Sequence, residues 1–157
     1  MVRDLQPLLT GGDLTLLRPS RGRPLSVSAA LLPWANAAEG YPQRLLAVAV
    51  LRLARRFEEA KELLKSFPAC AADWRALRKN EEAALAWHQG KAEEALALWQ
   101  AQKASVPVLF NRGMAALFLG RPADARMALE QAVVQLPDIS AWHHLGHLYL
   151  ALATARS

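Results

Sequence analysis

The chain is predicted to be all-α, and three features of its sequence carry that prediction. From about Ser26 onward apolar residues recur at intervals of three and four, the repeat of one helix face. Nowhere do apolar and polar residues alternate as they would along a half-buried strand. Glycine and proline fall mainly where one periodic segment gives way to the next. At 157 residues the chain has the length of one domain. A domain of that size buries about two-thirds of its unfolded surface and needs neither disulfide nor metal for stability.

A short helix is expected at about residues 3–9, inside an N-terminal arm covering 1–25. The helical domain, 26–157, reads as helices at about 27–38, 42–55, 57–67, 73–89, 91–103, 106–119, 121–136 and 139–154. The segment from Ser26 to Gly40 is apolar and holds Trp34, so it is expected to close one end of the domain, with Pro33 able to kink it. Pro42 and Pro107 sit in first helical turns, where the missing N–H is tolerated. Asp138 is placed to cap the last helix.

Net charge is +5, and the excess lies at one end. Residues 1–56 hold eight Arg against Asp4, Asp13 and Glu39, whereas residues 57–157 hold eleven basic and eleven acidic side chains. Arg18, Arg21 and Arg23 fall in a Leu17–Pro24 stretch where two prolines and a glycine forbid a helix. This basic loop reads first as a solubilising linker and second as an anion contact. The single cysteine, Cys70, cannot form an internal bridge, and a lone thiol suits a reducing cytoplasm. The acid and proline in Met1–Pro7 argue against a secretory leader. The longest apolar run, Leu45 to Leu51, is far too short to span a bilayer.

Alignment of the helix–helix corners exposes an internal repeat. Arg56-Phe57-Glu58-Glu59-Ala60, Lys91-Ala92-Glu93-Glu94-Ala95 and Arg121-Pro122-Ala123-Asp124-Ala125 each pair a basic residue with acids in the next first turn, followed by an alanine. The acids meet the positive end of the helix dipole, and the alanine admits a close partner helix. Further on, Trp142, Leu145, Gly146 and Tyr149 form a W-x-x-L-G-x-x-Y spacing. These patterns resemble the tetratricopeptide repeat. The best-covered copy runs from Val106 to Pro137, with Gly113, Ala116, Gly120, Ala125, Leu129, Ala132 and Pro137 at the family's small, bulky and helix-ending positions. Earlier copies, beginning near Tyr41 and Ala76, are degenerate. Ala60 to Ala95 spans 35 residues but Ala95 to Ala125 only 30, so the middle copy is expected to have a short second helix or a tight loop.

The resemblance implies a right-handed α–α superhelix of about 3.5 repeats with an N-terminal helical cap. It also implies a concave groove lined by the first helix of each pair. The transferred lining positions are Leu45, Ala49, Arg52 and Leu53 in the first pair and Leu77, Asn80, Ala84, Trp87 and His88 in the second. Phe110, Met114, Leu117 and Phe118 follow in the third, and His143, His147 and Leu150 in the last helix. Any buried helix shows a stripe at this spacing, so ordinary core packing competes at every one of these positions. Phe110, Met114 and Phe118 are the leading candidates, because they suit an apolar peptide. Asn80, Lys79 and Asn111 do not make up the clamp of Lys, Asn and Arg with which some family members hold a C-terminal carboxylate. The implied activity is that of an adaptor or chaperone-like module, not an enzyme, holding an apolar peptide or helix as the family's small secretion chaperones hold their clients.

Two alternatives stand beside that expectation. A binder of RNA or of an anionic surface would use Arg18, Arg21, Arg23 and Arg52, and a self-associating subunit would use the open last helix. Five tryptophans could stack on bases, yet Trp99 and Trp142 occupy packing positions of the family and the acids Glu81 and Glu82 follow the basic Arg75, Arg78 and Lys79. His143 and His147 stand four apart, a separation at which two imidazoles can share a metal, but a zinc site needs further ligands and Cys70 is distant. No metal and no cofactor are expected. Cys70 lacks a basic neighbour that would activate it, and Gly11-Gly12 lacks the lysine and serine of a phosphate-binding loop.

Overall fold

The computed structural model describes residues 27–67 and 72–157. The expected helix at 3–9, the basic loop with Arg18, Arg21 and Arg23, and Cys70 lie outside the described residues. Among those described there are eight helices and no strand, in agreement with the all-α prediction. The chain divides after Ala37. The first unit contains α1 (Val27–Asn36), which carries Pro33 inside it. The second, Ala38–Ser157, holds α2 (Gly40–Leu53), α3 (Phe57–Lys65), α4 (Ala72–His88), α5 (Ala92–Gln100), α6 (Val106–Phe118), α7 (Pro122–Val133) and α8 (Ala141–Arg156).

In the second unit each helix packs on its neighbour in sequence, and α2 also meets α4 while α6 meets α8. Pairs α2–α3, α4–α5 and α6–α7 are hairpins with the same corner. At each, a residue with positive φ ends the first helix: Arg55 (60°), Gly90 (83°) and Gly120 (72°). The next amide reaches five residues back, from Arg56 to the Leu51 carbonyl (2.9 Å), Lys91 to Ala86 (3.0 Å) and Arg121 to Ala116 (2.8 Å). The amides of Arg55, Gly90 and Gly120 themselves bond three residues back. This two-bond Schellman arrangement satisfies carbonyls that the helix end would leave bare. Arg56, Lys91 and Arg121 then start the second helices without a side-chain cap, and Glu58, Glu59, Glu93, Glu94 and Asp124 in the first turns offset the exposed N–H groups electrostatically.

Counted from the positive-φ residue, four positions are buried in every hairpin. Seven before it stand Val48, Ala83 and Gly113, and four before it Leu51, Ala86 and Ala116. Five after it stand Ala60, Ala95 and Ala125, and nine after it Leu64, Trp99 and Leu129. Small residues at the crossing let the paired backbones come close. The limit is reached at Gly113, where an added Cβ would sit 2.5 Å from Leu129 Cγ and 3.1 Å from the Ala125 carbonyl oxygen. The uneven spacing does not come from the second helices, since α3 and α5 are both nine residues long. It comes from the first helices, α4 running for 17 residues and α6 for 13, with the linker before α6 one residue shorter than that before α4.

Helix α8 is capped by Ser140, whose hydroxyl accepts from the His143 amide at 3.0 Å, and not by Asp138 as its position suggested. Gly146 of the W-x-x-L-G-x-x-Y segment lies against the preceding hairpin, an added Cβ falling 2.7 Å from Val133 Cγ2 and 3.4 Å from Phe110 Cε2. Leu148 and Leu152 are left exposed on this helix.

Arg55 is the one non-glycine residue with positive φ among those described. The left-handed conformation costs an L-residue about 1–2 kcal/mol, and the contact of the Arg55 guanidinium with the Phe57 ring (5.8 Å) returns about 0.5 kcal/mol at an exposed site. Arg55→Gly is therefore expected to stabilise the fold by about 1 kcal/mol, raising the melting temperature by about 2–4 °C in a chain of this length. An unchanged or lower melting temperature in calorimetry would contradict the strained corner.

Candidate functional site

The face that the repeat pattern assigns to a groove is formed by α2, α4, α6 and α8, and the structure divides its residues into three groups. Leu45 and Phe110 are core, at 9% and 5% exposure. Phe110, the leading candidate in the sequence, packs with Leu109 and Ala132 under Leu136 and Leu145. Its ring meets Trp142 edge-on (5.4 Å) and lies tilted against Tyr149 (6.0 Å). A Phe and a Met four residues apart cannot be separated into core and surface by spacing alone, because adjacent turns of α6 face different helices.

Asn80 is half-buried and already hydrogen-bonded. Its side-chain oxygen accepts from the buried Trp99 indole N–H (3.0 Å) and from the Asn111 amide (3.0 Å), so it ties α4, α5 and α6 together. Tryptophan buried at such a crossing needs a partner for its N–H, and Asn80 supplies it from the preceding helix. The sequence shows Trp99 and Asn80 nineteen positions apart and gives no sign that they meet.

A polar cluster occupies the α2–α4 end of the face. Arg52 donates through Nε to Glu81 Oε2 (3.1 Å), and its Nη2 lies 3.1 Å from the same oxygen. Its Nη1 lies 3.2 Å from His88 Nε2. An arginine cannot accept, so His88 takes this bond on an unprotonated nitrogen. Burial, reinforced by the charges of Arg52 and Arg55, holds the His88 pKa below its ordinary 6.5. Burial raises that of Glu81 against the opposing pull of Arg52. Arg52 was a candidate anion contact; it is occupied by Glu81 instead.

The third group is accessible. Phe118 is 64% exposed and Leu53 66%, His88 and His147 are exposed, and Ala49, Trp87, Met114 and His143 are half-buried. Phe118 is held edge-on between Trp87 (6.0 Å) and Tyr149 (6.2 Å), which set its ring in place while leaving most of it to solvent. Trp87 in turn rests on Trp99 at 6.3 Å. A run of rings therefore passes from the buried Trp99 outward through Trp87 to Phe118 and back through Tyr149 to buried Phe110. Trp142, expected at a packing position, covers Phe110 with one edge and is 46% exposed.

Sequence reasoning missed a cleft of about 210 Å³ between α5, α6 and α7, lined by Leu96, Gln100, Leu109, Arg112, Asp124 and Met127 among others. It lies on the opposite side of α6 from Met114 and Phe118, since positions 109, 112 and 116 are about half a turn away from 110, 114 and 118. Among the described residues no group of three or more His, Cys, Asp or Glu is arranged to hold a metal ion, and no helix is long and apolar enough to cross a membrane. No protein-family model matches the chain, and no curated protein or solved structure matches it significantly.

Two measurements test this geometry. Asn80→Leu strands the Trp99 and Asn111 donors and is expected to destabilise by about 1–3 kcal/mol in denaturant unfolding; a cost near zero would show that the hub contributes nothing. His88 binds its proton less readily folded than unfolded, so below about pH 6.5 the unfolded chain takes up more protons and stability falls, whereas it rises as pH climbs through that region. Glu81 acts in the opposite sense, losing stability as pH rises from 4.5 toward its raised folded value. A His88→Gln variant is expected to lose the gain near pH 6.5, and an identical pH profile for both proteins would remove His88 from the account.

Proposed function

We propose that the chain is a protein-interaction scaffold of degenerate tetratricopeptide-like repeats, about three and a half of them in a right-handed superhelix. Its first-helix face holds an apolar peptide or helix of a partner protein. The observation that carries this reading is Phe118. A large ring that is mostly exposed loses the benefit of burial, yet Trp87 and Tyr149 hold it in one orientation on the predicted lining face. Aromatic anchors preset in this way lose little freedom on binding, and they dominate the energetics of many protein interfaces. Leu53 at the far end of the same set of helices, with Met114 and Trp87 between, extends the apolar character.

The three like corners and the four positions buried in each hairpin support the repeat reading from the fold side. The rival anion-binding reading loses Arg52 to its ion pair with Glu81. What favours an apolar segment over a charged one is the α6–α8 part of the face, where Met114, Phe118, Tyr149 and Leu150 stand and the titratable groups are His143 and His147, with Asp138 3.6 Å from His143.

Phe118→Glu is expected to keep the helical circular dichroism, to cost no more than about 1 kcal/mol as a surface change, and to abolish recovery of partner proteins from nuclease-treated lysate of the source cells. Phe110→Glu serves as the contrast. It places a charge in the core and is expected to unfold the domain, at about 4 kcal/mol or more. Equal recovery by Phe118→Glu and the unchanged chain would defeat the groove reading.

A further inference from the structure

We propose that the outward face of α8 pairs with the same face of a second copy of the chain, the two helices lying antiparallel across a twofold axis. The inference is independent of the scaffold reading. One side of α8 is already used, with Gly146 and Ala153 buried and Leu145, Tyr149 and Leu150 packed against α6 and α7. The opposite side carries Ala141, His144, Leu148, Ala151, Leu152 and Ala155, which the helical turn gathers into one stripe. All six are exposed, Leu148 at 68% and Leu152 at 40%. Other helices are charged where they face solvent: Glu62 and Lys65 on α3, Glu93 and Glu94 on α5, Arg126 and Glu130 on α7. Helix α8 has no acid, and apart from its histidines its one base is Arg156 in the last turn. A helix that is apolar around its whole circumference is ordinarily covered on both sides.

What points to a second copy is that the stripe complements itself. An antiparallel pairing centred between Tyr149 and Leu150 sets each Leu148 opposite Ala151 of the other copy and each His144 opposite Ala155, so that large side chains meet small ones. The same pairing carries Arg156, which has no acidic partner among the described residues, to the start of the other helix. There Asp138 is 95% exposed and Ile139 90%. The guanidinium meets the carboxylate while its methylene stem lies over Ile139, and symmetry repeats the contact at the other end. One face of a helix about 24 Å long is smaller than the roughly 800 Å² per partner of a stable interface. The dimer is therefore expected to be reversible.

The test is sedimentation equilibrium of the full chain from about 10 µM to about 1 mM, the range in which a small interface dissociates. A passage from monomer to dimer with rising concentration is expected. Leu148→Asp and Ala151→Glu are each expected to keep the chain monomeric with its helical circular dichroism intact, and Arg156→Glu to weaken the dimer by about threefold. Phe118→Glu is expected to leave it unchanged, because Phe118 meets Tyr149 on the other side of α8. A monomer at every concentration would overturn the proposal, as would a dimer that survives both Leu148→Asp and Ala151→Glu. In such a monomer, a melting temperature lowered by Leu148→Asp would assign the stripe to another segment of the same chain. Capture of a different protein that Leu148→Asp abolishes would assign it to that protein, and either result overturns the pairing of two copies.

Discussion

The approach of paired helices at small residues is the constraint on which the rest of Ala38–Ser157 depends. A hairpin whose helices are joined by three residues has little slack, so the two axes are set by what stands at the crossing. Ala60, Ala95 and Ala125 are all fully buried, and opposite them stand Val48, Ala83 and Gly113. As the residue on one side grows smaller or larger, its partner must compensate. Leu129 takes up the space that Gly113 vacates, and Trp99 fills the corresponding place beside Ala83. Two positions before each positive-φ residue the side chain is exposed, at Leu53, His88 and Phe118, whereas Trp87 stands one position earlier, in the register that Leu117 fills as core.

That same packing decides the fate of polar groups along the row. Trp99 is too large to be buried without bringing its indole N–H, and the N–H has to be met from a neighbouring helix. Asn80 meets it and takes a second donor from Asn111, so one oxygen secures three helices. At the next position along the stack, Arg52 and Glu81 neutralise one another at 3.1 Å, and His88 remains uncharged beside the guanidinium. These contacts commit part of the face to internal partners, and Phe118 and Leu53 are the most exposed apolar side chains among its lining positions.

Much of the fold was legible because it is local. The corner pattern of a base, acids and an alanine located all three hairpin turns, and the expected helix limits differ from those observed by a few residues. The 30-residue interval between Ala95 and Ala125 was expected to shorten α5 or its loop, yet α5 has the nine residues of α3 and most of the difference lies in α6, four residues shorter than α4. Even the first corner, where Arg55 takes a conformation usually given to glycine, kept its place because the hydrogen bonds and the flanking apolar residues outweigh the local strain. The cap of α8 was misplaced by two residues, since Asp138 and Ser140 are both good caps and only backbone conformation decides between them.

The candidate site was legible as a stripe and not as a surface. Helical periodicity assigns Phe110, Met114 and Phe118 to one side of α6, and it cannot say that Trp142 and Tyr149 will cover the first ring while the last stays open. By itself the sequence determined the helical class, the turns, and which positions must be small, because those follow from spacing, backbone preference and residue volume within a few turns. Tertiary structure alone decided which members of the stripe are core, that Asn80 and Arg52 are committed to internal partners, and that two imidazoles of α8 face each other with a carboxylate nearby. These outcomes depend on distances between side chains that are remote in sequence or on rotamers within a turn, and neither is encoded in periodicity.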